Sequence, residues 1–324
     1  MRLIVTAGRA GSSFLATQLN NHPDVACLNE THYLPLVIDE VGEGRASAAE
    51  MLQVVDRVRF HDGRVVFESN FAALGIVQAD WAAWRSALIE DGSDMTVAEF
   101  QAHVEEFVMA RTGTSIVIDK TPCYGADLAR FATHFAPLTV INLTRDVDRS
   151  VASMLKHPGF LAKVRLGTTT WTDVIRHHNV TDDDLVVSTR PGEPDLMRRL
   201  WAWRSVEPLR QAEQAGIEVV NVRYEDLLAE PPEVLARILE IFRIPRNDEW
   251  LSSAAAAVRQ PPAAPSDPDQ GAGAGSRLQH LSSAYAVTRA RHRLGYLDLW
   301  PASVARRWSA RRFGVRSPGA AGGD

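Results

Sequence analysis

The first fifteen residues constrain the fold more than any other stretch. Arg2-Leu3-Ile4-Val5-Thr6-Ala7 is an apolar run of strand length. Gly8-Arg9-Ala10-Gly11-Ser12-Ser13 follows as a glycine-bearing turn, and Phe14, Leu15 and Leu19 begin a helical period. Strand, turn and helix N-terminus in that order build a cradle for an anion. The glycines let the backbone turn tightly, while Ser12 and Ser13 bring hydroxyls and amides to the positive end of the helix dipole. The Gly-x-x-x-x-Gly-Lys-Ser/Thr spacing of a Walker loop is absent, and Arg9 stands inside the turn instead.

Three further apolar runs have strand character. Ser115–Asp119 leads into Lys120-Thr121-Pro122, Thr139–Thr144 into Arg145-Asp146, and Ile217–Val222 into Arg223-Tyr224-Glu225-Asp226. Between them the periodicity predicts helices over Ser12–Asn21, Val97–Arg111 with Thr96 as N-cap, Val147–Lys156, Pro194–Ala215 and Pro231–Phe242. This alternation predicts an α/β fold: a P-loop-like, three-layer arrangement with a central parallel sheet flanked by helices. In such sheets ligands gather at the carboxyl ends of the strands, so Lys120 and Arg145 fall where chemistry happens. A short extended piece, Asp24–Thr31, carries Glu30 towards the first turn.

The chain of 324 residues is long enough for one α/β domain, expected over 1–251, with 34–111 as a helical lid insertion. A net charge of −5 argues against a general nucleic-acid binder, so any anion site rests on local clustering. Two cysteines, Cys27 and Cys123, imply neither a disulfide framework nor a zinc site. No apolar stretch reaches membrane-spanning length and the N-terminus lacks signal-peptide character, so a cytoplasmic location is expected. Residues 159–189 read as polar and irregular. Within them, His177 and His178 are adjacent and share no helix face, so they are not read as metal ligands. Residues 252–276, rich in Ala, Pro and Gly, read as a flexible linker. A basic helical segment over 277–316 reads as packed through its aromatics rather than bound to a membrane, and 317–324 reads as a disordered tail.

Four separated pieces together resemble the sulfotransferases that use 3′-phosphoadenosine 5′-phosphosulfate (PAPS). Gly8 to Leu15 is similar to their 5′-phosphosulfate loop in its Arg-bearing form, and the likeness continues through His22-Pro23-Asp24-Val25 to Glu30-Thr31. Asp119-Lys120-Thr121-Pro122 resembles the family's second-strand Lys motif. Arg145-Asp146 with Ser153 resembles the 3′-phosphate motif, and Val222 to Leu227 the late core element. Where the cytosolic branch has a His after its Lys-Thr, this chain has Pro122.

The resemblance implies transfer of a sulfonate from PAPS, without a metal, to a hydroxyl of a small molecule. It implies Glu30 as general base, with Arg9 and Lys120 neutralising charge during transfer. It also implies that Arg9, Ala10, Gly11, Ser12 and Ser13 hold the 5′ side, Arg145 and Ser153 the 3′-phosphate, and Tyr224 the nucleotide, with Arg277 a candidate for the family's late basic loop. Two other readings compete: a nucleotide kinase, disfavoured by the missing Walker Lys-Ser/Thr, and a non-catalytic nucleotide-binding protein. The sequence leaves the acceptor and the oligomeric state open.

Overall fold

Strand β1 (Arg2–Thr6) lies at the centre of a five-stranded, wholly parallel sheet. The other strands are β2 (Val25–Asn29), β5 (Ile116–Lys120), β6 (Thr139–Thr144) and β7 (Val219–Arg223), in the order β2-β5-β1-β6-β7. The structure is a computed structural model and describes residues 1–59, 64–169 and 190–259. These form two compact units. The first takes in residues 1–59, 64–146 and 204–259; the second takes in 147–169 and 190–203.

The inner strands of the first unit's sheet, β5, β1 and β6, are buried on both faces, which is why they read as nearly continuous apolar runs. Successive side chains alternate between two cores. Leu3, Val5, Ala26, Leu28, Val117 and Val140 face one, while Ile4, Val25, Cys27, Ile118, Ile141 and Leu143 face the other. The first core is covered by α2 (Leu34–Val41), α3 (Ala48–Arg57), α4 (Val66–Ala73), α5 (Gln78–Glu90), α6 (Val97–Thr112) and α7 (Leu128–His134). The second is covered by α1 (Ser12–Asn20) and by helices late in the chain. The three layers expected from the alternating pattern are therefore present.

The stretch 34–111 is mainly helical, as its pattern predicts, and its apolar side chains are continuous with the first core. It also holds a small antiparallel pair, β3 (Ala46–Ser47) and β4 (Asp94–Met95), that the sequence pattern did not announce. Each of these strands runs into a capped helix. Ser47 with Glu50 and Thr96 with Glu99 both form reciprocal capping boxes, so Thr96 is the N-cap expected.

In the second unit, α8 (Val147–Met154), α9 (Pro158–Arg165) and the first residues of α10 (Glu193–Ala215) pack through Val151, Met154, Phe160, Leu161, Met197 and Leu200. Helix α9 corrects the reading of 159–189 as irregular from its start. Pro158 suits a first helical turn, His157 Nδ1 accepts from the Gly159 amide, and Phe160 and Leu161 are buried. His177, His178 and the acidic triplet lie outside the described residues.

Helices α11 (Tyr224–Ala229), α12 (Pro231–Phe242) and α13 (Asp248–Arg259) complete the second core of the first unit. Helix α13 runs into the stretch whose composition reads as linker. The alanines there are good helix formers, and Ala254, Ala255 and Val258 are buried against the core. The last helices reach back to the first ones. The Arg2 Nε donates to the Phe242 carbonyl (2.8 Å), the Trp250 indole donates to the Gln18 carbonyl (2.8 Å), and His22 meets Trp250 edge to face. The remainder of 252–276, the basic segment 277–316 with Arg277, and the tail 317–324 lie outside the described residues. Among the described residues no helix is long and apolar enough to cross a membrane.

Candidate active site

Strand order reverses at β1, since β5 flanks it on one side and β6 on the other; this is where an open parallel sheet leaves a crevice. The carboxyl ends of all five strands bring chemistry-bearing residues to it. The turn Ala7–Gly11 follows β1, Glu30 follows β2, Lys120 ends β5, Arg145 follows β6 and Tyr224 follows β7.

The turn after β1 is tightly wound, with Gly8, Arg9 and Gly11 all at positive φ (109°, 58° and 84°). Holding a non-glycine residue such as Arg9 there costs about 1–2 kcal/mol, and such strain concentrates at functional sites. Ser12 and Ser13 open α1, whose N-terminus has no side-chain cap and no acidic residue in its first turn. Ala10 is buried and anchors the turn in the second core.

Tyr224 packs beneath the turn, and a Cβ added at Gly11 would stand 2.3 Å from its Cε2. The positive φ and this close approach together predict that Gly11→Ala destabilises the fold by about 2–5 kcal/mol. Thermal melts should recover part of that loss when Tyr224→Ala is added, because the overlap is relieved and the backbone strain is not. Arg145 lies over the Tyr224 ring at 5.0 Å and donates from Nη1 to the Arg9 carbonyl (2.9 Å), while its buried Nε has no hydrogen-bond partner.

On the β2–β5 side the ladder is extended by one bond, from the Glu30 amide to the Lys120 carbonyl (2.8 Å). The two side chains form an ion pair, Lys120 Nζ to Glu30 Oε1 at 3.0 Å, and Lys120 also reaches Ser13 Oγ at 3.4 Å. Lys120 is fully buried, whereas the Glu30 side chain is 44% exposed. His32 approaches the other carboxylate oxygen, Nε2 to Oε2 at 3.8 Å, and its Nδ1 meets the Cys123 Sγ at 3.3 Å. Partial desolvation works against ionisation of Glu30, yet His32 and the Lys120 ammonium hold its carboxyl well below the usual carboxylate range. Burial also opposes the charged form of His32, but Cys123 and Glu30 prevail and its pKa rises to about 9. The Glu30 carboxylate thus stands between the His32 ring and the Lys120 side chain, the three forming one row. Arg204, on α10, is buried within electrostatic reach of Glu30 and Cys123.

Beneath this row lies Asp119, 2% exposed, which accepts from the hydroxyls of Thr31 and Thr121, both at 2.6 Å. Burial pushes its pKa up to about 6 despite those bonds and the nearby His32 and Lys120 charges.

The structure thus brings Glu30, Lys120 and Ser13 into one network, and Arg9, Gly11, Arg145 and Tyr224 into another around the same turn. Ser153 lies on α8 in the second unit, half-buried. His32, Cys123 and Arg204 are additions to the residues singled out from the sequence.

The sulfotransferase family model matches residues 3–248 of the chain. Similar solved structures include the sulfotransferase domain from the curacin biosynthetic pathway (17% identity, covering 98% of this chain and 98% of that one, TM-score 0.46). Another is the sulfotransferase domain of a Synechococcus olefin synthase (17% identity, 98% and 95%, TM-score 0.43). A sulfotransferase from Mycobacterium avium is also similar (16% identity, 88% and 76%, TM-score 0.42). No curated protein sequence matches.

Proposed function

The chain belongs to the sulfotransferase family, and from that premise we propose that it moves a sulfonate in line from PAPS to a hydroxyl of a small-molecule acceptor, with Glu30 taking the proton. The observation that carries this reading is the Glu30–Lys120–Ser13 network at the N-terminus of α1, which unites a carboxylate base, a buried cation and an anion-binding turn.

The donor set suits PAPS. An uncapped helix N-terminus, a buried ammonium and an arginine with an orphaned buried Nε are groups that an anion satisfies. Bound there, PAPS supplies the sulfonate and a phosphate leaving group. Ser12, Ser13 and the Gly11 turn would hold the 5′ side. Arg9 and Lys120 would offset charge as the bridging bond breaks, and Arg145 would hold the 3′-phosphate. As in phosphoryl transfer, positioning and electrostatics should supply most of the acceleration.

Glu30 in the structure is ionised but weakly basic, because two cations flank it. An anion in the turn competes for the Lys120 charge, and that competition moves the carboxyl back towards its ordinary range. His32, already protonated at neutral pH, is poorly suited to be the base and instead holds the second carboxylate oxygen.

The test is ligand-dependent thermal stabilisation with 3′,5′-adenosine bisphosphate against ATP–magnesium. Stabilisation is expected with the bisphosphate alone. Arg145→Ala should weaken it by about tenfold to a hundredfold in Kd, the equivalent of one charge-assisted hydrogen bond. Stabilisation by ATP–magnesium alone would overturn the choice of donor.

A further inference from the structure

We propose that Asp119 is the positioning residue of this site: its carboxylate terminates two hydrogen-bond chains that pin Thr31 and so aim Glu30 and His32. The proposal rests on the reading of Glu30 as base and concerns how that base is held.

Glu30 and His32 both sit at left-handed φ, 56° and 57°, and neither is a glycine. Each such residue is strained relative to the right-handed conformation, so the segment does not hold this shape unaided. Thr31 between them is 1% exposed and is gripped through both its amide and its hydroxyl.

The protons in the grip can be assigned. Along one chain, the Leu34 amide donates to the Tyr124 hydroxyl (3.2 Å), which donates to Thr31 Oγ1 (2.8 Å), which donates to Asp119 Oδ2 (2.6 Å). Along the other, the Thr31 amide donates to Thr121 Oγ1 (2.9 Å), which donates to Asp119 Oδ1 (2.6 Å). Every hydroxyl gives one proton and takes one. Both chains therefore need a final group that only accepts, and an ionised carboxylate is the side chain that does so with two oxygens.

Burying that charge is costly, and the return is a fixed direction for the residues on either side of Thr31. The alternation of β5 completes the arrangement. Asp119 serves the turn after β2, while the next residue, Lys120, supplies the counter-ion to the base which that turn carries.

Asparagine at 119 would keep the shape but present an NH₂ to a hydroxyl that is already donating, breaking one chain. Asp119→Asn, Thr31→Val and Thr31→Ser are to be assayed for kcat and KM alongside Glu30→Gln. Calorimetric binding of 3′,5′-adenosine bisphosphate reports donor-site affinity and, through its stoichiometry, the folded fraction.

Asp119→Asn and Thr31→Val should each lower kcat per folded molecule by about tenfold to a hundredfold, as a small misplacement does, with bisphosphate affinity unchanged. Thr31→Ser, which keeps the hydroxyl, should turn over like the wild type. A merely structural role would alter the folded fraction and leave kcat per folded molecule alone. Wild-type kcat in Asp119→Asn beside an inactive Glu30→Gln overturns the positioning role and spares the base. An active Glu30→Gln overturns both. If Asp119→Asn does not fold, equal rates for Thr31→Val and Thr31→Ser overturn the proposal on their own.

Discussion

Glu30→Gln is expected to lower kcat by about a hundredfold to ten-thousandfold, the span usual for removing a general base. Binding of 3′,5′-adenosine bisphosphate should survive. The substitution is nearly isosteric, and the Gln carbonyl can still accept from Lys120 Nζ, which stands 3.0 Å from Glu30 Oε1. Removing a negative charge beside the buried Lys120 should, if anything, tighten the bisphosphate. Loss of turnover with retained or improved donor-product binding therefore identifies a proton acceptor. A parallel loss of both would place Glu30 in the binding of the donor instead. Turnover and calorimetry on the same preparation decide between them.

Lys120→Met is the second large effect expected, a fall of about a hundredfold to a thousandfold in kcat/KM, as for removing one donor that stabilises developing charge. Methionine fills a similar volume, so the fully buried position stays occupied while the ammonium is lost. The same variant should flatten the acid limb of stability. The folded-state pKa of Glu30 lies below its unfolded value, so its pairing stabilises the fold above the unfolded carboxylate range, near pH 4.3. That contribution is lost as pH falls through the depressed folded value. Without Lys120 the depression is smaller, because the ion pair at 3.0 Å is gone and His32, at 3.8 Å, is left beside the carboxylate. Melting temperatures of wild type and variant should therefore converge on acidification, and parallel curves would contradict the pairing.

The sheet was legible because strands buried on both faces leave continuous apolar runs, as in Leu3-Ile4-Val5 and Ile116-Val117-Ile118. Strand β2 was harder to see. Val25–Asn29 lies at the sheet edge and runs through Asn29 into the polar Glu30-Thr31, so it read as a short extended piece.

Lys120 and Arg145 could be found by their places after strands. His32 could not, because nothing in Glu30-Thr31-His32 announces two left-handed residues, a conformation that composition flags mainly through Gly and Asn. Arg204 was hidden for a different reason. It sits on a helix whose pattern reads as packing, and only the tertiary fold brings it near Glu30. Asp119 was visible as a letter of a motif, but its role depends on three hydroxyls from two segments, Thr31 after β2 and Thr121 with Tyr124 after β5.

The backward reach of the last helices bears on how the chain is made. Arg2 is bonded to a residue 240 positions later and Gln18 to one 232 positions later. A ribosome therefore extrudes the opening βα unit long before Phe242 and Trp250 exist. Until then Leu15 and Leu19 lack the apolar partners that α12 and α13 supply, and contacts of such long sequence separation are slow to form. The turn after β1 is thus synthesised well before the helices that cover its core, and that apolar face stays uncovered on the nascent chain until they emerge.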